Sequence, residues 1–150
     1  MNSQPVSSME GVTRSRLVTI HANAVLTEVA ARMSSTQISL VVVCDVDGAM
    51  VGVITKTDLV KLMAQSPTGA STATAADVMT RQVVQCRPSY PLRAVLSMMS
   101  QRNLVHIPVV DDRSRPLGVV NARDAFRVLL AAEQYEEALL RDYVMGVGYH

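Results

Sequence analysis

Two segments of the chain carry side chains at a spacing that chemistry can use. One is Gly52-Val53-Ile54-Thr55-Lys56-Thr57-Asp58-Leu59, the other Gly118-Val119-Val120-Asn121-Ala122-Arg123-Asp124-Ala125. In each, an apolar strand-like run gives way to a helical pattern. Thr55 or Asn121 then stands three residues ahead of Asp58 or Asp124. One use of this spacing is structural: the first residue caps the helix, and the aspartate sits where the helix dipole favours an anion. The other use is ligand chemistry. A helix N-terminus offers N–H groups to a phosphate, and a neighbouring carboxylate accepts hydrogen bonds from two vicinal ribose hydroxyls. Both uses share one geometry, and both stay open.

Other chemistry is poorly supplied. The sequence groups no nucleophile with a His and an acid, holds no cluster at metal-ligand spacing and has no Gly-rich phosphate loop. Cys44 and Cys86 lie in apolar, strand-like contexts and read as reduced core thiols, with a redox pair as the alternative. His21 reads as a turn residue, and paired Met98 and Met99 as packing.

The elements that must position the two aspartates repeat. Shifted by 66 residues, positions 18–64 align with 84–130 without a gap. Ten of those 47 positions are identical, among them Leu26/Leu92, Met33/Met99, Asp45/Asp111, Gly52/Gly118 and Asp58/Asp124. Chance gives about three at ordinary composition. Each unit reads β-α-β-β-α. Extended segments over 16–20 and 82–86 come first. An amphipathic helix follows, with Val25, Leu26, Val29, Ala30 and Met33 on one face, or Leu92, Val95, Leu96 and Met99 on its copy. Short β-branched runs over 40–44 and 106–110 read as buried strands. Turns rich in Asp lead to strands over 50–54 and 116–120, and second helices start near Thr57 and Arg123. One unit alone forms a three-stranded sheet with a face to cover, so the two units bury each other.

Residues 66–76 hold Pro67, Gly69 and several Ser and Thr but no charge, and read as a flexible linker. A turn of helix around Asp77, Val78 and Met79 then leads into the second unit. A helical pattern over 125–144 places Leu129, Ala132, Leu139 and Tyr143 near one face, with Gly146 as its cap. Such a helix outreaches one small unit, so its far end is expected to pack on a partner subunit or back on the other repeat.

Composition narrows the function classes. The chain has 150 residues, 49% hydrophobic and 18% charged, so it affords a packed core. A net charge of +1 argues against a nucleic-acid or anionic-membrane binder. With no Trp, one Phe and four Tyr, base-stacking platforms are poorly supported. No apolar run reaches the roughly 20 residues of a membrane span, and residues 1–11 carry no signal-peptide pattern. Cytoplasm is the expected compartment.

At this point a resemblance is clear. Gly-Val-Ile-Thr-x-x-Asp at 52–58, its copy at 118–124, His106-Ile107-Pro108-Val109-Val110-Asp111 and Asp77-Val78-Met79-Thr80 together resemble a tandem pair of CBS domains, the module named after cystathionine β-synthase. The resemblance spans about residues 12–132. It implies an α+β fold, a CBS-domain pair of two β-α-β-β-α repeats with pseudo-two-fold symmetry. The expected boundaries are 12–65 for the first repeat, 66–76 for the linker, 77–132 for the second repeat and 133–150 for the C-terminal helix and tail.

It also implies two clefts that bind adenosine-containing ligands: AMP, ADP or ATP, and less often S-adenosylmethionine or NAD-like molecules. Carried over by residue, the first cleft has Thr55 and Asp58, with Lys56 as a phosphate contact and Leu40 where a basic residue can occur. The second has Asp124, with His106 and Arg123 as phosphate contacts; Asn121 replaces the family's Thr or Ser. The first repeat departs from the Asp-x-Met-Thr opening, with Gly11-Val12-Thr13-Arg14 in its place. The expected function is a non-catalytic, homodimeric regulator that needs no cofactor and signals adenine-nucleotide binding to a partner protein. The alternative is a ligand-free dimerisation or scaffold module; an enzyme is the least supported reading.

Overall fold

A computed structural model describes residues 4–65 and 72–149, with side chains to Asp142. In chain order the elements are a 3-10 turn (Val6–Met9), α1 (Glu10–Ser15), β1 (Thr19–His21), α2 (Leu26–Thr36), β2 (Leu40–Cys44), β3 (Met50–Thr55) and α3 (Lys56–Gln65). The second half has α4 (Ala75–Val78), α5 (Leu92–Arg102), β4 (His106–Val110), β5 (Pro116–Asn121) and α6 (Ala122–Tyr149).

The 66-residue periodicity is reproduced in detail. β2 and β3 pair antiparallel with Leu40 opposite Thr55, and β4 and β5 pair antiparallel with His106 opposite Asn121. Both hairpins carry an irregularity at the same place, Val43/Cys44 and Val109/Val110. α2 and α5 each end on a left-handed residue, Gln37 and Asn103. In both turns an aspartate carboxylate gathers two backbone N–H groups: Asp45 takes those of Asp47 and Ala49, Asp111 those of Arg113 and Arg115.

The second sheet is not the three-stranded copy that the repeat suggests. The first has order β1-β2-β3, with β1 parallel to β2; the second has only β4-β5, with a single bridge from Cys86 to Val109. Two prolines explain the difference. In the first repeat the N–H of Val42 donates to Val18 O and that of Ala22 to Cys44 O. The residues 66 positions on are Pro108 and Pro88, which have no N–H to give. Only the bonds between Cys86 and its neighbours Pro108 and Val110 survive, at 2.9 Å each.

Strand β2 is buried along its whole length because it faces a core on each side. Val41 and Val43 pack under α2 with Val18, Ile20, Leu26, Val29, Met33 and Ile54. Leu40, Val42 and Cys44 face the other way and meet Val53 and Val119, forming the seam between the repeats. The period of two along the strand produces this division. On α2, Leu26, Val29 and Met33 are buried as expected, but Val25 and Ala30 are exposed.

The lead-in helices are exchanged. Val6 and Met9 sit in the core of the second repeat with Leu92, Val95, Met99, Ile107 and Val120. Ala75, Val78 and Met79 pack into the core of the first. The turn of helix at 77–79 thus serves the unit before it rather than the one it leads into. Two glycines make the exchange possible. A Cβ on Gly52 would lie 2.6 Å from Met79 Sδ and 2.8 Å from Thr80 O, and one on Gly118 would lie 2.8 Å from the Thr13 carbonyl carbon. Thr13 therefore does at Gly118 what Met79 and Thr80 do at Gly52, although the two lead-in sequences differ.

Of the segment read as a linker, residues 66–71 lie outside the described residues. Residues 73–76 are tied to the first repeat: Leu26 N donates to Ala73 O, Ala75 N to Ala24 O and Ala76 N to Ala22 O. Thr74 and Asp77 close a capping box on α4. At the other end, α6 runs through Gly146 to Tyr149, so Gly146 does not cap it. Of the expected apolar face, Leu129 is buried, whereas Leu139 is 50% exposed. Beyond the Arg93–Glu133 ion pair at 2.6 Å, residues 133–142 are exposed and do not return to the other repeat. No helix among the described residues is long and apolar enough to cross a membrane.

Candidate ligand clefts

The two motifs come to the junction of strand and helix as their spacing requires, each one strand residue later than the sequence suggests. Thr55 ends β3 and Asp58 lies in the first turn of α3. Asp58 Oδ2 accepts the Thr55 N–H at 2.9 Å, and Thr55 Oγ1 accepts the Asp58 N–H at 3.2 Å. This reciprocal capping box is the structural use of the motif. It also fixes the carboxylate and leaves its other oxygen without a cationic partner among the described residues. The Lys56 N–H is donated to Ser39 O and the Asp58 N–H to Thr55 Oγ1, so this helix start offers an anion fewer donors than a bare helix end supplies.

Asp58 and Thr55 line a cavity of about 210 Å³ at the seam, walled by Leu40, Val53, Val83, Val84 and Leu104 with Thr80, Gln82, His106 and Pro108. A second cavity of about 270 Å³ shares Leu40, Thr55, Leu104 and His106 with it and extends past Lys56, Thr57 and Ser39. Lys56 is exposed on that outer cavity. The walls are mostly apolar with a few convergent polar groups, the composition of small-molecule sites. The first cleft thus draws on both repeats: its motif comes from the first, and Thr80, Gln82, Val83, Val84 and His106 come from the second.

His106 was expected in the second cleft as a phosphate contact. It lines the first cleft's cavities instead, while its ring reaches across to the second motif: Asn121 Nδ2 lies 3.2 Å from His106 Nε2. Asn121 Oδ1 accepts the Asp124 N–H at 3.1 Å, which orients the amide and turns its NH2 to the ring. That orientation suits a neutral imidazole accepting at Nε2. Burial, and then the Arg16 charge, hold the His106 pKa below its usual value, against an opposing pull from Asp124. Its contribution here is shape and hydrogen bonding, not charge.

The second cleft is closed at its carboxylate. Arg16 Nε donates to Asp124 Oδ2 at 2.8 Å and Arg16 Nη2 to Asp124 Oδ1 at 3.0 Å. The Asp124 side chain is 7% exposed and that of Arg16 is 41% exposed. Both carboxylate oxygens are thus engaged by the fork of one guanidinium, the strongest arrangement such a pair can adopt. Arg123 is exposed on the first turn of α6. Arg16 was not singled out from the sequence. The signal available was its alignment with Gln82 under the 66-residue shift, a charged residue against a neutral one just after each lead-in helix.

Comparison with known proteins agrees with this architecture. The family model described as CBS domain matches residues 6–65 and 75–131. The L-aspartate semialdehyde sulfurtransferase of Methanocaldococcus jannaschii is 30% identical over 124 residues, 83% of this chain and 23% of that protein. The inosine-5′-monophosphate dehydrogenase of Mycobacterium tuberculosis is 31% identical over 134 residues, 87% of this chain and 24% of that protein. The chain thus spans about a quarter of the length of these curated relatives. Among solved structures, a CBS domain pair in complex with 5′-methylthioadenosine and S-adenosyl-L-methionine has a TM-score of 0.71 and 29% identity, covering 82% of this chain and 95% of that one. A CBS-domain containing protein from Agrobacterium tumefaciens has a TM-score of 0.73 and 25% identity, covering 83% of this chain and 98% of that one. With both halves matched by that family model, the chain belongs to the family as a tandem pair of CBS domains.

Proposed function

We propose that the chain is a non-catalytic regulatory module that binds one adenosine-containing ligand in the cleft at Asp58 and signals occupancy to a partner protein. The observation that carries this reading is the Asp58 carboxylate. It is held by the Thr55 capping box, faces an apolar-walled cavity, and has no cation paired with it among the described residues. A ribose diol donates to the free carboxylate oxygen, the base lies among Leu40, Val53, Val83 and Val84, and a 5′ substituent points to the outer cavity. There Lys56 favours a phosphate. The complex of the similar CBS pair with adenosyl ligands supports the same class. AMP, ADP and ATP use Lys56; S-adenosylmethionine does not require it. Ligand shifts the balance between arrangements of the two repeats only if it favours one of them, and its contact with residues of both repeats supplies that preference.

The test is thermal unfolding with AMP, ADP, ATP, NAD and S-adenosylmethionine, for the wild type and Asp58→Ala. A ligand at 100 times its Kd stabilises the native state by about 2.7 kcal/mol. A shift seen in the wild type and lost in Asp58→Ala supports the reading; no shift with any of the five ends it.

A second reading, a ligand-free dimerisation module, draws on exposed apolar side chains. Val60 (64% exposed) and Met63 on α3, and Phe126 (58% exposed) and Leu130 on α6, lie open to solvent, and Val60 and Phe126 are equivalent under the repeat. Homodimerisation through these helices is compatible with either reading. Light scattering at the 16.2 kDa mass of one chain would exclude it.

A further inference from the structure

We infer that Arg16 is a built-in occupant of the second cleft, so that the pair takes one adenosine-type ligand and not two. The inference rests on the proposed binding mode at Asp58, because it assigns the same role to Asp124 and asks what prevents it. Each motif aspartate has two oxygens. At Asp58, a residue that lines the cavity, one is used by the Thr55 N–H and the other has no cationic partner among the described residues. At Asp124 both are used by Arg16, through Nε at 2.8 Å and Nη2 at 3.0 Å. A ribose diol has two neutral donors in roughly the places where the guanidinium has two charged ones. Charge-assisted bonds are about twice as strong as neutral ones, so the diol does not displace the fork on equal terms.

Position sets this difference between the clefts. Arg16 and Gln82 are equivalent under the repeat, and Gln82 lines the Asp58 cavity. The chain reaches the two positions differently. α1 continues to Ser15 and Arg16 follows it directly in helical conformation, whereas α4 stops at Val78 and the chain runs extended from Met79. The longer helix delivers Arg16 to Asp124 across the seam. Asn121 is tied to the same motif, its Oδ1 accepting the Asp124 N–H and its Nδ2 lying 3.2 Å from His106 Nε2. The apparent affinity of the second cleft is its intrinsic affinity reduced by the fraction of molecules in which Arg16 has swung out. For a buried aspartate with a fork-bound partner that fraction is small.

Isothermal titration of the full chain with AMP and, separately, S-adenosyl-L-methionine tests this. The wild type is expected to bind one ligand per chain. Arg16→Gln, which gives the second cleft the residue of the first, is expected to bind two, the additional one lost when Asp124→Asn is added. Gln82→Arg is expected to weaken binding at Asp58 at least tenfold. Two sites in the wild type, or no additional site in Arg16→Gln, overturns the inference. If the wild type binds neither probe while Arg16→Gln binds one that Asp124→Asn abolishes, the reading of the Asp58 cleft fails and the role of Arg16 stands. Should Arg16→Gln not fold by circular dichroism, Arg16→Lys replaces it. Its ammonium cannot make the fork, and a folded Arg16→Lys without an additional, weaker site overturns the inference as well.

Discussion

The two motif aspartates of this chain occupy the same place in two copies of one unit, yet only one of them faces a cavity unopposed. Asp58 is held by its capping box and lines the seam; Asp124 is buried under Arg16. The hairpins, registers, turn carboxylates and left-handed helix ends match at the 66-residue shift, so the difference does not come from the hairpin frame; the longer lead-in helix α1 brings Arg16 to Asp124. A few side chains at the seam complete it: Gln82 against Arg16, Leu40 against His106, Thr55 against Asn121. Duplication supplies two equivalent frames, and single residues decide which frame is open.

The largest effects are expected where the repeats exchange their lead-in helices. Gly52→Ala and Gly118→Ala each force a methyl group to within 3 Å of backbone atoms of the other segment. Each should cost about 3 kcal/mol, the upper end of overpacking penalties, in urea unfolding. If one glycine tolerates alanine, the close approach is not shared by the two halves. Next comes the carboxylate pair. Arg16→Gln removes charged hydrogen bonds from a buried aspartate and should cost about 2 kcal/mol, tempered because the Arg16 side chain is 41% exposed. Gln82→Ala has no such partner to abandon and should stay within about 0.5 kcal/mol. Equal losses at the two positions would remove the contrast between the clefts.

Caps come third. Thr55→Ala and Asn121→Ala each lose a helix cap, worth about 1 kcal/mol. Asn121→Ala also strips His106 of its donor, so it should be the more damaging of the two. The His106 side carries a pH signature as well. Its pKa is lowered in the folded state by burial and by Arg16. Below the unfolded value of about 6.5 the unfolded chain therefore binds more protons than the folded one, and stability falls as pH falls. His106→Leu, copying Leu40 of the first repeat, should flatten the decline in melting temperature between pH 7 and pH 5. An unchanged slope would mean that other groups govern it.

Much of this frame is legible in the sequence because it depends on local spacing. The order of strands and helices follows from apolar periodicity, and Thr55 and Asp58 meet because three residues separate a cap from its partner. The duplication itself is visible in ten identities. What is not legible depends on contacts across the seam. Arg16 lies 108 positions from Asp124, and no local pattern announces their pairing. His106 sits between the clefts rather than in the second because β4 is shared by both walls. Val6 and Met9 belong to the distant core because Gly118 admits Thr13, a fit between segments that show no common motif. The prolines are an intermediate case. Pro88 and Pro108 fall where Ala22 and Val42 each donate an N–H between β1 and β2. Their removal of a strand from the second sheet follows once the repeat is aligned.

The smallest expected effect concerns the hairpin turns. Gly48 and Ser114 are equivalent, and both are left-handed, at φ 84° and 62°. For glycine this conformation costs little; for serine it carries a penalty of about 1 kcal/mol. Ser114→Gly relieves that penalty but adds backbone freedom to the unfolded chain, so the net gain should be on the order of 0.5 kcal/mol. In a domain of this size that is about 1–2 °C in melting temperature. Gly48→Ser should cost about 1 kcal/mol. The serine turn has an additional role: the Met50 N–H donates to Ser114 O at 2.8 Å and links the two hairpins. The converse bond cannot form, because the residue equivalent to Met50 is Pro116. The link uses the Ser114 carbonyl and not its side chain, so Ser114→Gly should keep it. A loss of stability in Ser114→Gly would show instead that the serine's rigidity holds the carbonyl in place, and that the single link between the turns matters more than the strain within one of them.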